Sequence, residues 1–260
     1  MHVENNHRNA VAADPDVNKP PVKKGLTFWL FIPSVLLVIW LFVEFESGAI
    51  SWWENWLLAS PLYYFLIILS HDAVHSTAHK NRFANNLVGW LGTAIFAIPF
   101  PLVRRAHLSH HAREGEADDI EQFAYKRGPT LPVRILFGNL MYYRFLSRCS
   151  SRLWGLAIVT VVAFIFLFGF FPRESLLGWF LPMQTGTCYI MFTTIWIPHG
   201  PRSRWWMDNF PVVTGFHEDH HAKPNYPFHQ LTRKAVRHYA RHPHRRVLAA
   251  GRELPAAVTR

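Results

Sequence analysis

The sequence predicts an all-α integral membrane protein. It has four transmembrane helices in two hairpins, re-entrant or interfacial helices between them, and a cytoplasmic cap of histidine boxes. Three observations carry that expectation. Half of the residues are hydrophobic, and they lie in long blocks. Basic residues are nearly absent from two of the turns between those blocks. The histidines, 16 in all, gather where the apolar blocks end. With charged residues at 17%, a soluble domain of this length would lack the polar cover its surface needs.

Residues 1–25 are polar, carry Asp14-Pro15 and Pro20-Pro21, and hold no apolar run of the signal-peptide kind. They read as a disordered lead-in. The membrane domain is expected over 26–231, and a basic cytoplasmic tail over 232–260. Crossing a bilayer takes roughly 20 helical residues. The first span is Leu26 to Phe45. The second, Trp56 to Leu69, reaches full length only if Trp52 and Trp53 mark its interfacial start. Leu153 to Phe171 is the third. The fourth, Leu176 to Pro198, contains Gln184, Thr185, Thr187, Thr193 and Thr194, which suit a face turned to other helices or to a substrate.

A further apolar stretch, Leu87 to Val103, is flanked by Lys80, Arg82, Arg104 and Arg105 and contains Pro99-Phe100-Pro101. Proline breaks a straight helix, so a re-entrant hairpin or an in-plane interfacial helix is expected here. Leu131 to Leu146, with Arg134 and Arg144 among leucines and aromatics, reads as a second in-plane helix.

Lysine and arginine set the orientation. The turn from Glu46 to Asn55 has neither, and the turn from Pro172 to Ser175 has only Arg173 of the 27. The rest lie in the lead-in, the loop from Lys80 to Arg152, and the tail after His199. Basic excess marks the cytoplasmic side, so both termini and the long loop are expected there. The net charge of +10 therefore reflects membrane flanks, and no nucleic-acid partner is expected. Cys149 and Cys188 form no CxxC pair and build no disulfide framework.

His71 and His75 stand four apart at the end of the second span. His107, His110 and His111 form an HxxHH box, and His217, His220 and His221 form another. His199 follows the fourth span. Residues three and four apart share a helix face, so each box aims at least two imidazoles one way. Neutral imidazole is the commonest protein metal ligand and suits iron, copper, zinc and nickel. The orientation drawn from lysine and arginine places all of these groups at one membrane face. Nine imidazoles exceed what one metal takes and fit two ions. A metal transporter or sensor without turnover is the rival reading, and it would place ligands midway through the spans.

A metal-bound histidine usually donates its other ring N–H to a carboxylate or carbonyl. Asp72, Glu218 and Asp219 lie inside the boxes, and Asp118-Asp119 follow the second one. These are the expected orienting carboxylates. His79 continues the His71–His75 stripe and is a further, weaker candidate ligand.

His71-Asp72-Ala73-Val74-His75, then His107-Leu108-Ser109-His110-His111, then His217-Glu218-Asp219-His220-His221, with a lone histidine ahead of the last box, resembles the membrane fatty acid desaturase superfamily. The resemblance covers about Leu62 to Leu231. It implies a histidine-ligated di-iron centre that uses O2 as co-substrate. The ligands it implies are His71, His75, His107, His110, His111, His199, His217, His220 and His221.

Ala106-His107-Leu108-Ser109-His110-His111 followed by Glu116-Ala117-Asp118-Asp119, together with Trp196-Ile197-Pro198-His199, is similar to carotenoid ketolases. Pro224, Tyr226-Pro227 and Leu231 after the last box resemble ketolases and acyl desaturases alike. Gly215-Phe216-His217 departs from the tyrosine or asparagine that many relatives carry before that histidine. The expected activity is hydroxylation, ketolation or desaturation of a long apolar lipid drawn from the bilayer, leaning to a carotenoid-type substrate. A fatty acyl desaturase is the alternative.

A fused electron-donor module is not expected from these residues. His242-Pro243-His244 is not a cytochrome b5 motif, and no cysteine set for an iron–sulfur cluster is present. A separate donor, ferredoxin-like or a flavin-linked reductase, is implied.

Overall fold

The structure is a computed structural model, and it describes residues 25–114, 116, 119–122, 128–197, 220–221 and 224–232. The lead-in and most of the basic tail lie outside them. Among the described residues every regular element is helical.

Helix α1 spans Leu26–Glu46 and α2 spans Trp52–Val74. A capping box starts α2: Ser51 Oγ accepts from Glu54 N, and Glu54 Oε2 accepts from Ser51 N at 2.7 Å. That box places Trp52 and Trp53 in the first turn, as the interfacial reading required. At 23 residues α2 is about 34 Å long, enough for a hydrocarbon layer of about 30 Å.

The stretch from Leu87 to Val103 is two helices rather than one. Helix α3 runs Arg82–Ala94, and α4 runs Phe100–Arg113 with Pro99 as its N-cap and Pro101 in its first turn. Proline is suited to a helix start, where its missing N–H costs nothing, so the pair begins α4 as well as ending the apolar run. At 13 residues, or about 20 Å, α3 is too short to span. The turn between them carries Ala97 at φ 56°, a strained left-handed conformation for alanine. Two side chains satisfy its carbonyls: Trp179 Nε1 donates to Ile95 O at 3.1 Å, and the Tyr143 hydroxyl donates to Ala97 O. Irregular backbone among apolar residues needs such internal donors.

Leu131 to Leu146 is likewise broken. It forms α5 (Leu131–Leu136), a 3-10 turn over Gly138–Leu140, α6 (Met141–Arg144) and a second 3-10 turn over Phe145–Arg148. Helix α7 then spans Ser151–Phe170.

The last apolar segment is continuous but not regular. A π-helical stretch, Glu174–Phe180, leads into α8 (Leu181–Ile190), and a second π stretch, Met191–Trp196, follows. Helices α1, α2 and α7 are long and apolar enough to cross a membrane. The fourth expected span is this composite helix.

Helix α2 is the hub. It packs against α1, α3 and α8, with Leu66, Leu69 and Ala73 wholly buried. Gly186 of α8 meets α2 so closely that an added Cβ would stand 2.8 Å from Tyr64 N and 2.9 Å from Ser60 O. Small residues permit such approaches between apolar helices. Asn55 Nδ2 donates to Gly178 O at 3.0 Å, answering a carbonyl in the first π stretch.

Candidate metal centre

The end of α2 and the length of α4 deliver the imidazoles. His71 lies in the last turn of α2, and His75 caps it. His107, His110 and His111 follow the 3.6-residue period along α4, and helical His220 and His221 approach from the chain's far end. His71 Nε2 lies 2.9 Å from His107 Nε2, which lies 2.9 Å from His111 Nε2. His111 Nε2 in turn lies 3.0 Å from His220 Nε2. One ring nitrogen from each of His71, His75, His107, His111 and His220 falls within 4.8 Å of all the others. Beside this group, His110 Nε2 and His221 Nε2 lie 3.3 Å apart. Seven of the nine histidines singled out from the sequence are thus brought together. His199 and His217 lie outside the described residues.

Three carboxylates stand behind the rings. His107 Nδ1 bonds Glu121 Oε1, His110 Nδ1 bonds Asp119 Oδ1, and His221 Nδ1 bonds Glu114 Oε2, each at 2.9 Å. An ionised carboxylate only accepts, so each Nδ1 carries a proton, and wherever the ring is neutral its Nε2 keeps a lone pair. Asp119 Oδ1 also accepts from Glu121 N at 2.9 Å, which fixes the two acids relative to each other.

Asp119 stood among the expected orienting residues. Glu114 and Glu121 did not, although both belong to the acidic run behind the second box and were open to the same reasoning. Asp118, Glu218 and Asp219 lie outside the described residues.

Asp72 is a correction. Expected to orient a box histidine, it accepts instead from Thr27 Oγ1 at 2.6 Å and from Phe228 N at 3.0 Å. One residue along a helix turns the side chain by about 100°, so the neighbour of His71 faces α1 rather than the imidazoles. Asp72 ties α1, α2 and the segment after the last box into one unit. His79 also turns away: its ring packs on Phe28 at 5.3 Å, and its Nδ1 accepts from Asn81 N at 2.9 Å.

Burial, and after it the neighbouring imidazoles, hold His75, His107 and His220 below the ordinary histidine value, and push His111 down to about 3. These rings are therefore neutral, the form that binds metal. His110 differs. Burial lowers it, but the carboxylates of Glu121, Asp119 and Glu114 outweigh that and raise it to about 9.

Three of these imidazoles, His71, His107 and His220, line an apolar cavity of about 140 Å³ together with Glu121. Its walls are Ile67 and Ile68 of α2, Phe96 and Ile98 of the turn before α4, and Ile190, Met191 and Ile195 at and beyond the end of α8.

The profile of the fatty acid desaturase family matches residues 50–248. The chain is also 25% identical over 116 residues to the sn-1 acyl-lipid omega-3 desaturase (ferredoxin) of Synechocystis sp., covering 45% of this chain and 32% of that relative. It is 29% identical over 108 residues to the enzyme of the same description from Nostoc sp., covering 40% of this chain and 29% of that relative. The aligned segments thus span about a third of the length of these curated relatives. No solved structure matches. A profile match over most of the chain, on a helical frame that gathers the histidine boxes beside an apolar cavity, shows that the chain belongs to the fatty acid desaturase family.

Proposed function

We propose that the chain is a multi-pass membrane di-iron oxidoreductase that uses O2 to desaturate a lipid acyl chain, with electrons from a separate ferredoxin-type donor. The observation that carries this reading is the convergence of five imidazoles, three of which line an apolar cavity.

The residues fit a metal. His75 Nε2 is buried with no hydrogen-bond partner among the described residues, and His75 contributes one ring nitrogen to the cluster. A buried polar atom without a partner is costly, and a metal ion would answer a ring nitrogen in that position. His71, His75, His107, His111 and His220 would hold one iron. His110 and His221 would begin the second position, with His199 and His217 as the remaining members of the set. When bound, the iron pair supplies an oxidant able to take hydrogen from an unactivated C–H bond.

The protein does the rest. Ile67, Ile68, Phe96, Ile190 and Ile195 take up a run of methylenes by apolar burial and exclude water from the reacting carbons. Glu121, Asp119 and Glu114 keep the rings in the tautomer that offers Nε2 inward. A substrate laid along this cavity would meet the histidines with one stretch of its chain, which is the selectivity that desaturation requires.

The composite helix Glu174–Trp196 serves as the fourth span in this reading, with both termini and the histidine cap on the cytoplasmic side. The acyl chain is favoured as substrate because both curated relatives are acyl-lipid desaturases. The carotenoid-type substrate drawn from Trp196–His199 and the Glu116–Asp119 run finds no support among them. Their donor is given as ferredoxin, which favours that class over a flavin-linked reductase.

Lipid profiling of a host expressing the chain with a ferredoxin and its reductase tests the reading. New double bonds in acyl chains, absent with His220→Ala, are expected. Changed pigments with unchanged acyl chains would overturn the acyl substrate.

A further inference from the structure

Glu121 sits where the two imidazole groups meet, and its side chain is buried, with the residue 2% exposed. Oε1 accepts from Nδ1 of His107, a member of the five-imidazole group. Oε2 points the other way and lies 3.3 Å from His110 Nε2. That same nitrogen lies 3.3 Å from His221 Nε2. Both of these histidines direct Nδ1 at a carboxylate, so in the neutral rings both Nε2 atoms carry lone pairs. When a metal displaces the second proton of His110, an anionic oxygen and two imidazole lone pairs face one another there. Donors at about 2.0–2.2 Å from one ion, in neighbouring coordination positions, stand roughly 3.0–3.5 Å apart. Both separations fall in that range.

We propose that Glu121 is a metal ligand: Oε2 joins His110 and His221 in holding the second iron, while Oε1 orients His107 in the first group. The inference rests on the two-iron reading above. It makes the two positions chemically unequal, one held by neutral imidazoles alone and the other also by a charged oxygen. Carboxylate and imidazole are both established ligands for non-haem iron. One carboxylate spanning both groups also fixes their separation.

The test uses the full chain, purified in detergent and loaded anaerobically with ferrous iron. Iron per chain and the Mössbauer spectrum are read for the wild type and for Glu121→Gln. His75→Ala serves as reference for loss at the first position and His110→Ala for loss at the second. Glutamine preserves an acceptor for His107 Nδ1 but removes the charged oxygen.

The expected result is two irons in the wild type and one in Glu121→Gln, with the surviving spectrum matching His110→Ala. Retention of both irons with an unchanged spectrum would overturn the ligand role. A spectrum matching His75→Ala would also overturn it, because Glu121 would then act only through His107. A wild type that binds fewer than two irons would instead defeat the two-iron reading itself. Should Glu121→Gln fail to fold, the wild-type spectrum decides: two unequal doublets are expected, and a single doublet overturns the proposal.

Discussion

Helices α2 and α7 are both long and apolar enough to cross a membrane, yet they do opposite work. Half of the most apolar stretch of α2 is buried inside the protein, against 6% for α7. Helix α2 carries Asn55, Ser60, Ser70, His71 and Asp72, and each finds a partner within its own helix or on another element. Helix α7 presents Trp154, Ile158, Val159, Ile165, Phe166 and Phe170 outward. Hydropathy alone ranks both as spans. What separates them is polar content: side chains that lipid cannot satisfy must be answered by protein, so the more polar helix is drawn to the centre. Of the two, the helix less like a lipid-facing span is the one that contributes to the site.

Four substitutions, with Thr27→Val as a milder comparison for the second, sharpen this contrast. The largest effect is expected from His107→Ala, which removes an imidazole from the five-membered group while leaving the spans untouched. Iron binding at that position and all oxidative turnover should be lost, as read by metal analysis and acyl-chain profiling. Full activity in this variant would break the link between the cluster and function.

Next is Asp72→Ala on α2. It strands the Thr27 hydroxyl and the Phe228 N–H in the interior, at about 1–3 kcal/mol for each donor left unpaired. A lower melting temperature in detergent is expected, with weaker iron retention because the segment after His220 and His221 loses its anchor. Thr27→Val removes only one partner and should cost less, about 0.5–1.5 kcal/mol.

Third, Gly186→Ala forces a Cβ against the backbone of α2. Overpacking of this kind costs typically about 1–3 kcal/mol, and the backbone contact leaves no flexible side chain to yield. The smallest effect is the control. Gly155 of α7 has nothing within 4 Å of an added Cβ, so Gly155→Ala should leave the melting temperature unchanged or raise it slightly through helix propensity. Equal losses at Gly155 and Gly186 would mean that α7 is covered by something other than lipid.

Much of this contrast was visible in the linear chain. The spacing of His107, His110 and His111 predicts imidazoles on one side of α4, because the period of a helix is a local property. Trp52 and Trp53 marked the start of α2 for the same reason. The break near Pro99 was legible too, though not its form: the local rule says that proline interrupts a helix, and it says nothing about whether a second helix follows. Leu131 to Leu146 read as one helix, whereas 3-10 turns at Gly138–Leu140 and Phe145–Arg148 interrupt it, where Gly138 packs against Met191 and the Tyr143 hydroxyl donates to Ala97 O.

The carboxylates show where local reading ends. Asp72 touches His71 in sequence and not in space, whereas Glu121 is fourteen residues from His107 and bonds it directly. No periodicity links those two residues, since the helix that carries His107 ends before Glu114. The sequence by itself determined that apolar helices would end in imidazoles at a common face, because helical period and hydropathy act over neighbouring residues. Only the tertiary structure decided which acids stand behind which rings, which span is buried, and that five imidazoles form one group while His110 and His221 stand apart beside Glu121. Those outcomes depend on contacts between segments far apart in the chain, made where buried donors and acceptors must find each other.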